Sequence, residues 1–278
     1  MYQIKFSNSP KTYHLPENWD EVTAEQLKSL IEIVRTEEDN DLAKLLVIKS
    51  WGGLTQSIFK QINQFFISES EDNLVPLIAP FFEFKGFQKN IMQSIEVPGQ
   101  GKYYGFSDRL ENVTAGEYSM AIHHYDLMLA EEEDKSHLIN FVATLYRPRR
   151  TDGVTPGHTN WNGDFRVPYN EDNIDVYAEH IARMDNETLY AIRVCFERIM
   201  KWMGDLPNYS LLFNTVNTKK SGFPDFDRVL DSINGDSLSS INQVKALPLH
   251  TIFNKLQWLQ EEYNANKPIT PTNKFQEL

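Results

Sequence analysis

The chain has 278 residues, of which 41% are hydrophobic and 24% are charged, and its formal net charge is −12. This composition is typical of a globular protein with a sizeable core and excludes a disordered or fibrous chain. An excess of acidic side chains opposes contact with a polyanion over most of the surface, which argues against broad nucleic-acid binding.

The apolar segments predict neither secretion nor a membrane span. Residues 1–16 lack the charged start and apolar run of a signal peptide, and no segment approaches about 18 consecutive apolar residues. The only cysteine, Cys195, cannot form an internal disulfide and is expected in the core. We therefore expect no membrane contact and a location in a cytoplasm or in a particle assembled there.

The first fifty residues predict a β-hairpin followed by two helices. Apolar and polar residues alternate over residues 2–6 and again near residues 12–15, which favours paired strands. Thr23 is a good N-cap, and Gln26 three positions later completes a capping box. A second helix is expected to end at Gly53.

The middle of the chain predicts a third helix and then a small β-segment. The helix is expected at residues 56–66, and the aromatic stretch 81–87 is predicted to be extended because it lacks a helical period. Residues 91–97 and 102–106 are predicted strands, and the turn residues 98–101 between them indicate a hairpin.

Residues 110–150 predict a second helical hairpin. Thr114 is the expected N-cap, Glu117 is expected to close a second capping box, and the acidic residues 131–134 are expected to form a solvated turn. Residues 20–48 follow a similar plan. Chance likeness between two helical hairpins and an internal duplication both remain open.

After residue 150 the sequence predicts a long, irregular loop over residues 151–169, and then mostly helices. The expected helices lie at residues 174–184, 186–202, 227–233, 237–245 and 249–263. A proline-rich, extended tail is expected at residues 267–278.

Together these elements predict an α+β fold that is mainly α. Helical hairpins are expected to pack into one large or two compact sub-domains, with a small N-terminal β-hairpin and a short β-segment in the middle. The favoured division places an N-terminal unit at residues 1–106 and a helical unit at residues 107–266, before the tail.

One cluster of potential metal ligands stands out, and its spacing argues against a metal site. Adjacent helical residues point about 100° apart, and the H-E-x-x-H spacing that places two imidazoles on one face is absent. We predict no metal ligands, no cofactor-binding residues and no catalytic residues, and hence no cofactor and no enzyme. A metal-dependent enzyme is kept as the alternative, built on His123, His124, Asp126 and His137.

Three arginines end the second helical hairpin. Arg147, Arg149 and Arg150 flank a proline that stops the helix, and their charges complement the helix dipole. The same arginines are also candidates for an anchor on an acidic partner, because guanidinium groups are enriched at interface cores.

Aromatic residues in the long loop provide a second indication of a partner. Trp161, Phe165 and Tyr169 occur in polar, turn-rich sequence, where a monomer would expose them. We predict that these three residues, together with the three arginines, form an interface with another chain.

The pattern at residues 110–148 resembles proteins encoded in the structural modules of tailed bacteriophages and prophages. It consists of a capped helix with Gly-Glu-Tyr at residues 116–118, an acidic turn, and a helix ending in Leu-Tyr-Arg-Pro at residues 145–148. A weaker resemblance extends through Arg183 and residues 187–203 and 249–263, so that about half of the chain is covered.

This resemblance implies a virion protein or assembly factor, such as a head-tail connector, a tail adaptor or a tail-assembly chaperone. Such a protein would act through protein-protein contacts with copies of itself and with other virion or tail proteins. It would be located in the virion, after assembly in the host bacterial cytoplasm. A chaperone that is absent from the finished particle remains the alternative, and the resemblance supplies no catalytic residues.

Overall fold

The computed structural model shows a mainly helical α+β protein with one two-stranded and one three-stranded sheet among its described residues. This confirms the predicted fold class. The structure describes residues 1–5, 10–60, 74–131, 134–159, 161, 163–206, 209, 226–234 and 241–266. The predicted tail at 267–278 lies outside these residues, as does most of the predicted helix at 56–66, of which residues 56–60 are helical.

The predicted N-terminal hairpin is confirmed. Strand β1 (Tyr2–Lys5) pairs antiparallel with strand β2 (Thr12–Leu15), with Tyr2 opposite Leu15 and Ile4 opposite Tyr13. On β2, Tyr13 and Leu15 are buried while His14 is exposed, so the alternating pattern directs one face into the core.

The first helical hairpin also follows its predicted signals. Helix α1 (Ala24–Thr36) begins with a complete capping box, in which the Thr23 hydroxyl accepts from the Gln26 amide and the Gln26 side chain accepts from the Thr23 amide. Helix α2 (Asn40–Gly52) ends at Gly53, whose φ of 59° is the left-handed conformation that glycine tolerates.

The extended segment predicted at residues 81–87 is wrong. Helix α3 (Val75–Phe82) covers its first two residues, and turns follow at 83–86. Pro76 lies in the first helical turn, where its missing N–H costs no hydrogen bond. The aromatic spacing serves packing against the Trp19 ring, whose centroid lies 4.3 to 5.6 Å from those of Phe81, Phe84 and Phe87.

The predicted central β-segment is present and gains a third strand. Strands β3 (Ser94–Val97) and β4 (Gly101–Tyr104) form the predicted hairpin, although both are shorter than expected. Strand β5 (Arg147–Pro148) adds to β4, with Tyr104 opposite Arg147. This pairing places the end of the second helical hairpin beside the β3–β4 hairpin.

The second helical hairpin consists of helix α4 (Ala115–Ala130) and helix α5 (Lys135–Leu145). Thr114 caps α4 as predicted. The remaining helices match the predicted segments to within a few residues at most ends. They are α6 (Ile174–Ile181), α7 (Asn186–Asp205), α8 (Phe226–Asn234), α9 (Ile241–Lys245) and α10 (Leu249–Asn266).

Buried apolar side chains form one continuous cluster that runs from Tyr13 to Phe253 and includes residues on both sides of position 106. At its edge, the Arg35 guanidinium of α1 lies 3.7 Å from the centre of the Tyr190 ring of α7. The division into two sub-domains and the duplication of the helical hairpin remain predictions. Among the described helices, none is long and apolar enough to cross a membrane.

Candidate functional site

Four charged side chains meet inside the protein where α4, β5 and the long loop come together. We call Glu117, Arg147, Asp164 and Arg166 the buried charge cluster; each is at most 5% exposed. Their formal charges cancel. Removing four charges from water is costly unless they satisfy one another, so the geometry of their contacts decides whether the cluster is stable.

Glu117 is the centre of the cluster, and it does not close the predicted capping box. The Thr114 hydroxyl accepts from the Glu117 backbone amide, but the Glu117 carboxylate turns towards two arginines. Its Oε1 lies 2.9 Å from Arg147 Nη1 and 2.7 Å from Arg166 Nη1. The buried carboxylate gains more from two guanidinium groups than from a single backbone N–H, which explains the difference from the prediction.

Arg147 is predicted to face a partner, and the structure corrects that prediction because the residue is 1% exposed. Its Nε donates to the Val167 carbonyl, and its Nη1 donates to the Thr144 carbonyl. Its Nη2 reaches Glu117 and Asp164. The guanidinium thus ties the end of α5 to the long loop instead of presenting a charge to solvent.

Arg166 brings the far end of the loop into the same cluster. Its Nε lies 2.9 Å from Asp164 Oδ1, and its remaining nitrogens donate to the Leu145 and Asn112 carbonyls as well as to Glu117. Burial alone would lower the pKa of Arg166, but the carboxylates of Glu117 and Asp164 outweigh burial and raise it. The group therefore stays charged.

Backbone hydrogen bonds complete the attachment of the loop. The Arg150 amide donates to the Phe165 carbonyl, and the Val167 amide donates to the Pro148 carbonyl. Arg149 and Arg166 form an isolated antiparallel bridge. The chain segments at the two ends of the predicted loop 151–169 are therefore hydrogen-bonded to each other.

Three of the six predicted interface residues form a surface on the outside of this attachment. Phe165 is 47% exposed, and the exposed Arg149 lies with its guanidinium carbon 5.8 Å from the ring centre. The half-buried Trp161 packs edge-on against Phe165, with 4.9 Å between ring centres. We call Arg149, Trp161 and Phe165 the Phe165 surface.

Besides the buried Arg147, the two remaining predicted residues are engaged within the chain. Arg150 makes a bidentate ion pair with Asp152, at 2.8 and 2.6 Å. Tyr169 is half-buried with its ring 5.6 Å from the Arg147 guanidinium carbon, and burial raises the pKa of its hydroxyl, as do the nearby charges of Glu171 and Glu117. Neither residue contributes to the Phe165 surface.

A cavity of about 530 Å³ lies beside the buried charge cluster, between the loop and α9. Arg147 and Arg166 line it, but every nitrogen of both guanidinium groups already has an acceptor within the protein. Lys245 on the opposite wall is paired with Glu171 at 2.9 Å. The cations around this cavity are neutralised within the chain, and we assign no ligand to it.

The four residues of the alternative metal hypothesis do not converge. His123 is exposed, while the rings of His124 and His137 stack with centroids 6.3 Å apart. Burial, together with the neighbouring His123 and His137, lowers the pKa of His124 to about 4. Among the described residues, His137 instead converges with Glu131 and Asp134 at the turn between α4 and α5.

Sequence reasoning missed Glu117, Asp164 and Arg166 as a cluster. Glu117 carried a signal, because it is a single acid within an otherwise apolar and small stretch at residues 115–122. Asp164 and Arg166 flank Phe165 in a strand-like alternation, and the usual assumption would bury the phenylalanine. In the structure the phenylalanine is exposed and the two charged residues are buried.

No protein-family model, no curated protein and no solved structure matches this chain.

Proposed function

We propose that this protein is a non-enzymatic structural or assembly component of a tailed-phage particle. It would act through protein-protein contacts with copies of itself and with other virion or tail proteins. The observation that carries the proposal is the inverted burial at residues 164–166, where Phe165 is 47% exposed between Asp164 at 5% and Arg166 at 1%.

The inversion is fixed by the buried charge cluster. Turning Phe165 inward would turn Asp164 and Arg166 outward and leave Glu117 without the Arg166 guanidinium. Breaking one partner of a buried charge group costs several kcal/mol, on the order of 3–5. The aromatic ring is thus held outward, and little conformational freedom remains to be lost when a partner covers it.

The composition of the Phe165 surface fits a partner protein. Tryptophan and arginine are the residues most enriched among those that dominate binding energy, and phenylalanine is also enriched at interfaces. Within the described part of the chain, Arg149 makes no ion pair, and its side-chain contact is with the Phe165 ring. In a protein with a net charge of −12, that guanidinium complements an acidic surface, such as the one another copy would present.

The tailed-phage setting is supported by the sequence resemblance at residues 110–148 and is part of the proposal. In that setting the protein would be assembled in the host cytoplasm and kept in the virion as a tail or head-tail component. A tail-assembly chaperone would use the same kind of surface but would leave before the particle is complete.

A matched pair of surface variants tests the proposal. The double variant Arg149→Ser/Phe165→Ser removes two of the three side chains of the Phe165 surface. The control Val176→Ser removes an apolar side chain that is 51% exposed on α6. Sedimentation velocity over a concentration series and pull-downs with virion proteins measure association. We expect wild-type protein and Val176→Ser to associate, and the double variant to be at least about tenfold weaker.

Wild-type protein that stays monomeric at high concentration and captures no virion or tail protein would overturn the proposal. Equal association of the wild type and the double variant would show that the interface lies elsewhere than the Phe165 surface. Mass spectrometry of finished particles separates the two roles, because a structural component is retained and a chaperone is not.

A further inference from the structure

The turn between α4 and α5 brings a mixed set of nitrogen and oxygen donors together. One donor atom from each of Glu131, Asp134 and His137 lies within 4.8 Å of the other two. His137 Nε2 is 3.5 Å from Glu131 Oε2 and 3.9 Å from Asp134 Oδ2. The imidazole makes this group different from an ordinary cluster of surface carboxylates.

These separations are too long for direct hydrogen bonds and are closer to the distances between two ligands of one metal ion. A protonated nitrogen that donates to a carboxylate sits about 2.7–2.9 Å from the oxygen. Tetrahedral ligands with bonds of about 2.0–2.2 Å to zinc are roughly 3.3–3.6 Å from one another. Glu131 and His137 already have such a separation, and the 3.9 Å between His137 and Asp134 exceeds it by a few tenths of an ångström.

Two of the three donors, those of Asp134 and His137, are held in place by neighbouring groups. Asp134 is the N-cap of α5, and its Oδ1 accepts from the Ser136 amide at 2.7 Å, which leaves Oδ2 towards His137. The hydrogen bonds from Ser136 hold the pKa of the Asp134 carboxyl below its usual range, so it is a carboxylate at neutral pH. The His137 side chain is only 17% exposed and stacks on His124.

Two further polar atoms beside the turn have no partner of their own. His137 Nδ1 and His124 Nδ1 are both buried, and neither finds a hydrogen-bond partner among the described residues. Most buried polar atoms are satisfied, and those that are not commonly mark an ordered water or an ion. His137 belongs to the converging group, and His124, in the middle of α4, stacks on it with 6.3 Å between ring centroids.

We propose that Glu131, Asp134 and His137 bind one divalent transition-metal ion of the zinc class. Imidazole nitrogen combined with carboxylate oxygen favours zinc, cobalt or nickel over calcium and magnesium, which prefer all-oxygen sites. Two carboxylates and a neutral imidazole balance a charge of +2. The ion would fasten the end of α4 to the start of α5, with water in the fourth position that the three side chains leave open. The proposal does not depend on the Phe165 surface.

Calorimetric titration of the purified full-length protein with Zn²⁺ tests this site. Asp134→Asn is the sharpest variant, because asparagine remains a good N-cap while the charged ligand is lost. His137→Gln removes the nitrogen ligand, and His123→Gln is the matched control on the same hairpin. We expect one Zn²⁺ per chain, a loss of affinity of at least roughly tenfold in the two site variants, and no change in the control.

The melting temperature provides a second readout. Ion pairs without a bound metal would not make it rise when Zn²⁺ is added. Zn²⁺ should raise the melting temperature of the wild type and of His123→Gln, and it should leave Asp134→Asn unaffected. Wild-type protein that binds no Zn²⁺, prefers Ca²⁺, or binds Zn²⁺ as tightly after Asp134→Asn would overturn the proposal. If His137→Gln fails to fold, Asp134→Asn decides the question, and the association assay of the Phe165 surface is unaffected by either result.

Discussion

Glu117 Oε1 lies 2.7 Å from Arg166 Nη1, although 49 residues separate them in the sequence and both side chains are excluded from solvent. The same oxygen lies 2.9 Å from Arg147 Nη1. One carboxylate in the first turn of α4 therefore fixes both the end of α5 and the loop that carries Phe165. The stability of the body and the position of the proposed contact surface depend on the same ion pairs.

Replacing Glu117 with glutamine should destabilise the protein severely. Glu117→Gln keeps the side-chain volume but leaves Arg147 and Arg166 buried with Asp164 as their remaining carboxylate. We expect a loss of about 3–5 kcal/mol in the free energy of unfolding, measured by urea denaturation. The control Glu111→Gln changes an exposed carboxylate nearby and should stay within about 0.5 kcal/mol of wild type.

A loss of less than about 1 kcal/mol in Glu117→Gln, similar to that of an exposed ion pair, would contradict the central role of this carboxylate.

Weakening the other carboxylate of the buried charge cluster should loosen the loop. Asp164→Asn removes the charge that binds Arg166 through Nε. The amides of Arg150 and Val167, which pin the two ends of the loop together, should then exchange faster with deuterated solvent. Hydrogen-exchange mass spectrometry of peptides over residues 147–169 measures this directly.

The control for loop loosening is Asp172→Asn, which changes an exposed carboxylate beyond the end of the loop. Unchanged exchange after Asp164→Asn, or an equal increase in the control, would show that the buried charge cluster does not hold the loop.

Local signals in the sequence predicted most helices and both β-hairpins. The Thr23 capping box, the glycine at position 53 and the turn at residues 98–101 each act within a few residues, so a single sequence contains the information. The exception is α3, where aromatic residues that favour strands are instead spaced to pack around Trp19. Tertiary packing there overrides local preference.

The site was less predictable because it depends on contacts between distant residues. Arg147 at the end of a helix suggested an exposed cation, and only the pairing of β4 with β5 and the return of the loop place Glu117 and Arg166 around it. The convergence of Glu131, Asp134 and His137 was missed for a different reason. The acidic turn was interpreted as solvated, and the histidines were compared with a pattern on one helix.

Adding a single methyl group at Gly105 should destabilise the core. A Cβ at this position would lie 2.6 Å from the Cε1 atom and 2.7 Å from the hydroxyl oxygen of Tyr146. That ring cannot move easily, because Tyr146 is fully buried and its hydroxyl donates to the Met92 carbonyl. Gly105→Ala should therefore reduce the free energy of unfolding by about 1–3 kcal/mol in urea denaturation.

The matched control is Gly52→Ala in the last turn of helix α2, where the new Cβ would lie 3.3 Å from the Leu54 side chain and 3.7 Å from the Leu15 side chain. Alanine is favoured over glycine inside a helix by about 1 kcal/mol, so this variant should be neutral or slightly stabilising. Equal stabilities for the two variants would show that the space beside Gly105 is not constrained by Tyr146.

The stability of the protein should fall as the pH drops below about 6.5, because of His124. Burial and the neighbouring His123 and His137 lower the folded-state pKa of His124 to about 4, whereas the unfolded chain binds its proton near pH 6.5. Between these values the unfolded state holds more protons, so stability is complete above pH 6.5 and is lost as the pH falls through 4. The variant His124→Gln cannot take up that proton, and the slope of its unfolding free energy between pH 6.5 and 4 should be smaller than that of wild type. His14→Gln, which replaces an exposed histidine on strand β2, serves as the control, and urea titrations at half-unit pH intervals measure all three proteins. If wild type and His124→Gln had the same slope, the buried imidazole would not be the source of the acid sensitivity.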